Sequence, residues 1–491
     1  MIMDKNYKKN KYTHRLIARI VIKAETPLAV SSGEKDVVTD ALIVRDMNGL
    51  PYIPGTAIAG VIRHALGEEK SKTFFGYSAE DDIDKSGKGS EIIFSSAYLV
   101  DKDRQVAEGL ISDESKSDYL KFFDELPVRQ HVAIDGKGVN KQTGKFDEEV
   151  VYKGTHFCFE IEMLSDGSNE ADFEAVLNEL ASDTFRIGSG TRKGFGRISI
   201  VECKKAILDL TDEVKRKEYL NKTSSLNDET FWADKPDLTP TIKDDDWIKY
   251  ELRLKPDDFF LFGSGFGDGD ADMTPVSETS IKWNFEKGEA PEFQHKYILI
   301  PATSVKGAIS HRVTFYYNKL NGYTIKESNG KYETDINAKV GVKNNAIKAL
   351  FGYTLENENE SKRGNVIFSD LIEDEYKTDK TQLKLLNHVA IDRFTGGAMD
   401  GALFSEKTVY GGGQEYKLEI LVNKNAFKVE PNDRNGQARS QDDIDKESDD
   451  KKKIKQALES AFNDITTGML PLGGGVNRGH GCFSGSLTIK E

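Results

Sequence analysis

Polar and apolar positions along the chain mark out short strands and a few amphipathic helices. Residues 15–24, RLIARIVIKA, are β-branched and alternate as a strand does. Leu28–Gly33 reads as a strand end and turn, and the loop Glu34–Asp40 then carries Asp36 and Asp40. After Ile53-Pro54-Gly55, apolar residues at 58, 61, 62, 65 and 66 keep helical spacing, with Thr56 as N-cap. Residues 92–95 form a short strand, and residues 128–135 a strand leading into the loop 136–145, which has three lysines and no acid. Residues 155–163 alternate as a half-buried strand, residues 171–182 repeat as an amphipathic helix, and residues 198–201 close the unit as a strand.

The second half replays this order. Phe260–Gly265 matches Leu28–Gly33 at an offset of 232, which also places Asp268 on Asp36 and Asp272 on Asp40. Ile300–Gly307 matches Ile53–Gly60 at 247, Leu350–Tyr353 matches Phe74–Tyr77 at 276, and Ile367–Ser369 matches Ile93–Ser95 at 274. His388–Asp392 is identical to His131–Asp135 at 257. Ordered blocks with drifting offsets mean an internal duplication. The jump of 15 between Asp272 and Ile300 places an insertion in the second copy. The expected division is a first domain at 1–205, a linker at 206–246 with a short helix near 210–220, and a second domain at 247–491. A polar stretch at 429–453 reads as a solvated or disordered excursion before a helix at about 452–464.

Composition narrows the class. At 491 residues the chain exceeds one ordinary core. Cys158, Cys203 and Cys482 are too few and too scattered for a disulfide framework or a zinc knuckle, which points to a reducing compartment. The N-terminus lacks the apolar core of a signal peptide and no window approaches a membrane span, so a cytoplasmic protein is expected. The net charge of −14 argues mildly against a naked nucleic-acid binder, but a basic groove can coexist with an acidic exterior.

Two glycine loops stand out. Gly188, Gly190, Gly194 and Gly196 recur as Gly473, Gly475, Gly479 and Gly481 at a constant offset of 285. Neither has the GxxxxGK[ST] spacing of a phosphate loop, and each lies between a helix and a strand rather than a strand and a helix. Each half reads as βα…ββ…αβ, the order of a ferredoxin-like unit, which often binds RNA on its sheet or loops. Glycines at such spacing serve either as tight turns or as a backbone cradle for phosphate, to which Arg192, Lys193, Arg197 and Arg478 would add charge.

The segments TPLAVSSG…TDALIVRD, LPYIPGTAIAGVIRHAL, HVAID…TGKFDEEVVYKGTHFCFEIEM and IGSGTRKGFGRISI, with LFGSGFGDGDADMTPV, ILIPATSVKGAI, HVAIDRFTGGAMDGALF and LPLGGGVNRGHG in the second half, resemble the RAMP superfamily, specifically backbone subunits of type III CRISPR effector complexes. The resemblance implies an α+β fold: two tandem modified ferredoxin-like domains with inserted hairpins and glycine-rich loops. It implies that each copy grips guide RNA, helps pair it with single-stranded target RNA, and inserts a hairpin into the duplex. Its implied partners are other backbone subunits and a large polymerase/cyclase-like subunit. In active members an Asp in the loop after the first strand cleaves target RNA; that position falls on Asp40 and its counterpart Asp272. The second copy departs from the pattern after Asp272 and adds Asp268 and Asp270, leaving its acting carboxylate open.

An endoribonuclease of this kind uses the neighbouring 2′-OH as nucleophile, with a carboxylate as proton acceptor or as ligand to Mg²⁺ or Mn²⁺. A lone Asp is a poor metal site, and loop aspartates are most often turn formers. His131 and His388, like His64 and His311, occupy positions suited to structure or RNA contact. The 136–145 loop and Arg393 are candidate backbone contacts, as are Lys306 and Arg63 beside helix starts. Three rivals remain open: a non-catalytic scaffold of the same fold, a guide-RNA-processing endoribonuclease, and a small-molecule enzyme with duplicated ferredoxin-like domains.

Overall fold

The computed structural model describes residues 12–36, 39–78, 87–134, 140–242, 245–323, 327–328, 331–332, 339–355, 360–372, 382–412, 414–429, 431 and 439–490. The first part of the lysine loop expected at 136–145, residues 136–139, lies outside them, as do 430 and 432–438 of the polar stretch.

The first module contains β1 (His14–Ala24), α1 (Gly55–Ala65), β2 (Ile92–Phe94), β3 (Val128–Ile134), β4 (Asn140–Glu149), β5 (His156–Ser165), α2 (Glu170–Glu179) and β6 (Ile198–Asp209). Its sheet runs β2-β5-β1-β6 with every neighbour antiparallel, and Ile20 pairs with Phe159 on one side and Cys203 on the other. Two central strands flanked by the second and fourth is the ferredoxin-like order. Ile58 and Ile62 of α1 and Phe173, Val176 and Leu177 of α2 bury one sheet face. β3 and β4 pair as a separate hairpin.

Residues 206–246 are not a tether. β6 runs on to Asp209, and α3 (Glu213–Asn221) and α4 (Glu229–Trp232) follow. Phe231 and Trp232 pack with Ile17, Ala206 and Leu208 on the sheet face opposite the helices. The Trp232 indole N–H donates to Glu160 Oε1 at 3.0 Å, and Arg19 pairs with Glu229 at 3.0 Å. This corrects the alternating reading of residues 15–24: Ile17 and Val21 are buried as well as Leu16, Ala18, Ile20 and Ile22. A strand covered on both faces carries a nearly continuous apolar run.

The second module contains β7 (Trp247–Pro256), β8 (Ser277–Lys282), β9 (Glu292–Ile300), α5 (Ala302–Leu320), β10 (Val366–Phe368), β11 (Leu383–His388), β12 (Phe404–Tyr410), β13 (Tyr416–Asn423), α6 (Gln441–Thr466) and β14 (Phe483–Lys490). Its sheet order, β10-β13-β7-β14, repeats the first, and β11–β12 repeats the β3–β4 hairpin. Here only Ile248, Tyr250, Leu252 and Leu254 of β7 face the core with α5 and α6. The opposite face is paved with ion pairs: Glu251 meets Arg253 at 2.9 Å and Lys417 at 3.3 Å, and Glu419 meets Lys417 at 2.8 Å and Lys249 at 3.1 Å.

The irregular stretch expected at 429–453 gives way to helix from Gln441. Ser440 caps it by accepting from the Asp443 N–H, and Asp442 and Asp443 complement the dipole. Its buried face begins only at Ile454, so the first turns show no apolar stripe. They are held instead by the Tyr317 hydroxyl on Asp450 at 2.5 Å and by Arg439 on Glu447.

The insertion between Asp272 and Ile300 is the β8–β9 hairpin, and it docks on the first module. Phe293 stacks on Phe122 with centroids 4.0 Å apart, and His156 lies between Trp283 and Phe285 at 4.7 and 4.9 Å. Each such ring pair adds about 0.5–1.5 kcal/mol beyond the area it buries. Gly154, at φ +89°, lets the backbones touch: a Cβ there would lie 1.9 Å from the Ile281 carbonyl oxygen. Beside this clasp the buried Arg129 of β3 pairs with Glu278 and Asp370 and lies 4.7 Å over the Phe195 ring.

Candidate nucleic-acid interface

The two aspartate loops have the same geometry. In the first, the Asp36 N–H donates to the Thr39 carbonyl at 3.0 Å and the Thr39 N–H to Asp36 Oδ1 at 2.6 Å. In the second, Asp268 and Ala271 exchange the same bonds at 2.8 and 3.0 Å. Asp36 and Asp268 are therefore turn formers, the role aspartate commonly plays in loops. Lys407 reaches Asp268 at 2.6 Å and Asp270 at 2.9 Å. Its hydrogen bond, with those of the Asp270 and Ala271 amides, pulls the Asp268 carboxyl down to about 2. Asp36, Asp268 and Asp270 are thus taken up within their own loops or by Lys407.

Asp40 and Asp272 are held differently, each against the second strand of a hairpin. Asp40 Oδ2 accepts from the Asp147 N–H at 3.0 Å. Asp272 Oδ2 accepts from the Ser405 N–H at 2.8 Å and its hydroxyl at 3.0 Å. Both residues are exposed, and Oδ1 of each makes no hydrogen bond among the described residues. The geometry makes Asp272, rather than Asp268 or Asp270, the equal of Asp40.

The next residue of each hairpin strand faces the other way. Glu148 and Glu406 are buried, and each carboxylate meets a histidine of the partner strand: His131 at 2.7 Å and His388 at 2.9 Å. Those rings stack on Phe146 and Phe404, both at 4.7 Å. A glycine-loop cation then covers each phenylalanine, Lys193 at 4.9 Å over Phe146 and Arg478 at 5.4 Å over Phe404. Arg478 also pairs with Glu406 at 2.7 Å. Burial raises the Glu148 carboxyl, but its bond to His131 and the charges of His131, Lys193 and Arg129 more than offset this, leaving it lowered. Each hairpin strand thus holds a candidate Asp on one side and the glycine loop on the other. The sequence reading missed both glutamates, although Phe-x-Glu recurs at 146–148 and 404–406.

The glycine loops are close-packed turns. All eight glycines have positive φ, and a Cβ at Gly188 or Gly473 would lie 2.5 Å from the carbonyl oxygen of Ala29 or Leu261. Most loop amides are engaged within the fold. Ser189 and Gly474 donate to those same carbonyls at 2.7 and 2.6 Å, and Lys193 and Arg478 donate to Gly190 and Gly475 at 2.7 and 2.8 Å. The loops are therefore rigid turns that present side chains.

Those side chains divide. Arg197 pairs with Asp183 at 2.6 Å and Arg478 with Glu406, so neither is a free cation. The Arg192 Nε donates to the Gly364 carbonyl at 2.9 Å, across the seam between modules. Lys306 is half-buried on α5, but the helix N-terminus beside it is occupied, because the Ala302 N–H donates to Asp370 Oδ1 at 2.7 Å. Arg393 is exposed beside Phe394, which is 99% exposed, in a turn shaped by Asp392 Oδ1 accepting from the Phe394 and Thr395 amides, both at 2.8 Å. Val389, Ile391, Met399 and Leu403 extend that exposed apolar tip. The sheets are poor platforms: residues 226–232 cover one and ion pairs pave the other.

A resident divalent metal does not fit these loops. Among the described residues no group of three or more His, Cys, Asp or Glu side chains is placed to hold one, and the Lys407 ammonium lies between Asp268 and Asp270 where a cation would sit. Among the described residues no helix is long and apolar enough to cross a membrane.

No curated protein matches the chain. The family model of the RAMP superfamily matches residues 21–199 and 261–484, one region in each module and most of the chain together. With two ferredoxin-like sheets of identical order, two equivalent hairpins and two equivalent glycine loops, the chain belongs to the RAMP superfamily and carries the family's module twice.

Proposed function

We propose that this protein is a guide-RNA-binding backbone subunit of a type III CRISPR interference complex, and that it cleaves guide-paired target RNA at Asp40 and Asp272. Family membership supports CRISPR-associated RNA binding. The observation that carries the finer reading is the repeated placement of an exposed carboxylate beside a hairpin, with one oxygen held and the other without a hydrogen bond among the described residues. The partners are guide RNA, single-stranded target RNA, other RAMP backbone subunits and the large polymerase/cyclase-like subunit, in the cytoplasm.

In this reading the exposed apolar tip around Phe394 wedges into the guide–target duplex, unstacks a target nucleotide and frees its 2′-OH to rotate in line. The Asp carboxylate takes the 2′-OH proton while the 2′ oxygen attacks the adjacent phosphorus. The bond from phosphorus to the 5′ oxygen breaks, and that oxygen leaves with a proton from water, giving a 2′,3′-cyclic phosphate and a 5′-hydroxyl. The residues on the page supply no metal ligand set, so no step is assigned to Mg²⁺ or Mn²⁺.

Asp40→Ala and Asp272→Ala, each in the reconstituted complex, should each abolish cutting at one position and leave guide binding intact. Cutting at every original position in both variants would leave the non-catalytic scaffold. That second reading is favoured by one observation: the Ser405 bonds to Asp272 also serve to fasten the loop.

A further inference from the structure

Four cations meet where the first glycine loop touches the second module, and no acid pairs with any of them among the described residues. Arg186 precedes the loop and Arg192 lies in it; Lys306 comes from α5, and Arg363 from the short strand Glu360–Arg363. The hydrogen bonds of the three arginines go to neutral oxygens. Arg192 Nε donates to the Gly364 carbonyl at 2.9 Å, Arg363 Nη2 to the Thr191 hydroxyl at 3.2 Å, and Arg186 Nη2 to the Ser369 hydroxyl at 3.0 Å. Arg186 is buried, with Nε and Nη1 left without a hydrogen-bond partner among the described residues.

The charges feel one another. Burial, then Lys193 and Arg192, push Lys306 down to about 8, and burial, then Arg363 and Arg186, push Arg192 down to about 9. The acids within range of Arg186 are engaged elsewhere. Asp183 holds Arg197, Asp370 holds Arg129 and the Ala302 N–H, and Glu419 holds Lys417 and Lys249. A buried guanidinium without an anion is costly, and like charges drawn together add to that cost.

The second loop shows that the cations serve the seam rather than the turn. At the offset of 285, Arg192 becomes Asn477 and Arg186 becomes Pro471, while the glycines are all kept. At 247, Lys306 corresponds to Ala59. The duplicated turn forms without these charges; they occur only where one module meets the other. Arg363, Gly188 and Ser189 are exposed at this edge, which leaves a route in from solvent.

We propose that this seam is a phosphate-binding site built from both modules and centred on Arg192, and that a single phosphate group there ties the modules together. Arginine forks match phosphate oxygens two at a time, and Lys306 adds a point charge. The phosphate comes either from an RNA backbone or from a free anion. The site stands on its own geometry, and only its RNA arm rests on the proposed function.

The test is thermal unfolding of the full chain titrated with sodium phosphate, against sodium chloride at matched ionic strength, and in a second arm with a short single-stranded RNA. Phosphate should raise the Tm of the wild type and of the off-site control Lys102→Ala alike. Lys306→Met should unfold at or above the wild-type temperature without phosphate, since a crowded charge is gone, and should lose the phosphate-dependent gain. Arg363→Gln should weaken the apparent affinity about ten-fold. A shift with RNA but not phosphate, lost in the same variants, assigns the site to a polymer phosphate. No shift with either, or an equal shift in all variants, overturns the proposal. Guide RNA bound equally by wild type and seam variants, with no phosphate effect, would remove the seam site while leaving RNA binding in place.

Discussion

Asp272 and Ser405 are joined by four hydrogen bonds from two parts of the chain, one of them from the Asp272 amide to the Ser405 hydroxyl at 3.1 Å. Asp272 Oδ2 accepts from the Ser405 amide at 2.8 Å and from its hydroxyl at 3.0 Å, and the Asp272 amide donates to the Ser405 carbonyl at 3.0 Å. The first module holds Asp40 at the same place on Asp147. Holding a loop and presenting a carboxylate are different roles, and substitution can separate them.

Asp272→Asn keeps an acceptor for the Ser405 amide but removes the base. It should reduce cutting at one target position by at least about 10²–10⁴-fold, the size of a lost general base, while the hairpin stays in place. Target cleavage resolved by position on a sequencing gel reads this directly. Wild-type cutting by the Asn variant would show that the carboxylate acts only as a fastener.

Ser405→Ala tests the same group through pH. The Ser405 amide first, and then its hydroxyl, hold the Asp272 carboxyl below the usual carboxylate range. A lowered folded value keeps the group ionised further into acid. Removing the hydroxyl should therefore move the acidic limb of the pH–rate profile at that position to higher pH, with little change on the plateau. An unmoved limb would mean that Asp272 does not set it.

Glu406 is fully buried and answers Arg478 and His388 together. Glu406→Gln leaves both without an acid, a change that costs about 3 kcal/mol when a buried pair is broken. Urea denaturation should show a loss of that size, and the second glycine loop should become sensitive to proteolysis. Unaltered stability would show that the pairing contributes nothing net.

His156 sits between Trp283 and Phe285, and burial, with Lys23 and Arg104 nearby, pushes it down to about 3. The unfolded chain takes up a proton near the ordinary histidine value of about 6.5, while the folded one does not. The stability this neutral ring contributes is thus complete above that value and declines as pH falls toward 3. His156→Phe should flatten the loss of Tm between neutral and acid pH. An unchanged slope would place the acid sensitivity elsewhere.

Two glycines at the same position of the two copies should respond unequally to alanine. Gly479 has φ +88° and open space around it, so Gly479→Ala meets only the backbone cost of about 1–2 kcal/mol. A Cβ at Gly194, at φ +110°, would also lie 2.6 Å from Asp370 Oδ1 and 2.8 Å from the Ala302 Cβ. Gly194→Ala should cost at least twice as much in chemical denaturation. Equal losses would mean that the seam yields freely.

The duplication was legible because its parts are local. Glycines that must adopt positive φ, the HVAID blocks and the two loop aspartates leave residue-level marks at fixed offsets. The Asp36 and Asp268 turns proved equal bond for bond. The buried glutamates were less visible, since a Phe-x-Glu triplet has meaning only once a histidine and a glycine-loop cation are brought over it. The first half of α6 was hidden because its turns carry no apolar stripe and rest on Tyr317 and Arg439.

The amino-acid sequence by itself determined two copies of one βα…ββ…αβ module, their shared loops and the place of the insertion, since periodicity and backbone preference act over a few residues. Only the tertiary structure decided what each copy became. The linker covers the first sheet and leaves the second open, the insertion clasps the first module through Trp283, Phe285 and Phe293, and the first glycine loop meets α5 at a cationic seam. Those outcomes depend on which apolar surfaces find each other and which charges are left between them, and such pairings join residues a hundred or more positions apart, as Arg129 and Asp370 are.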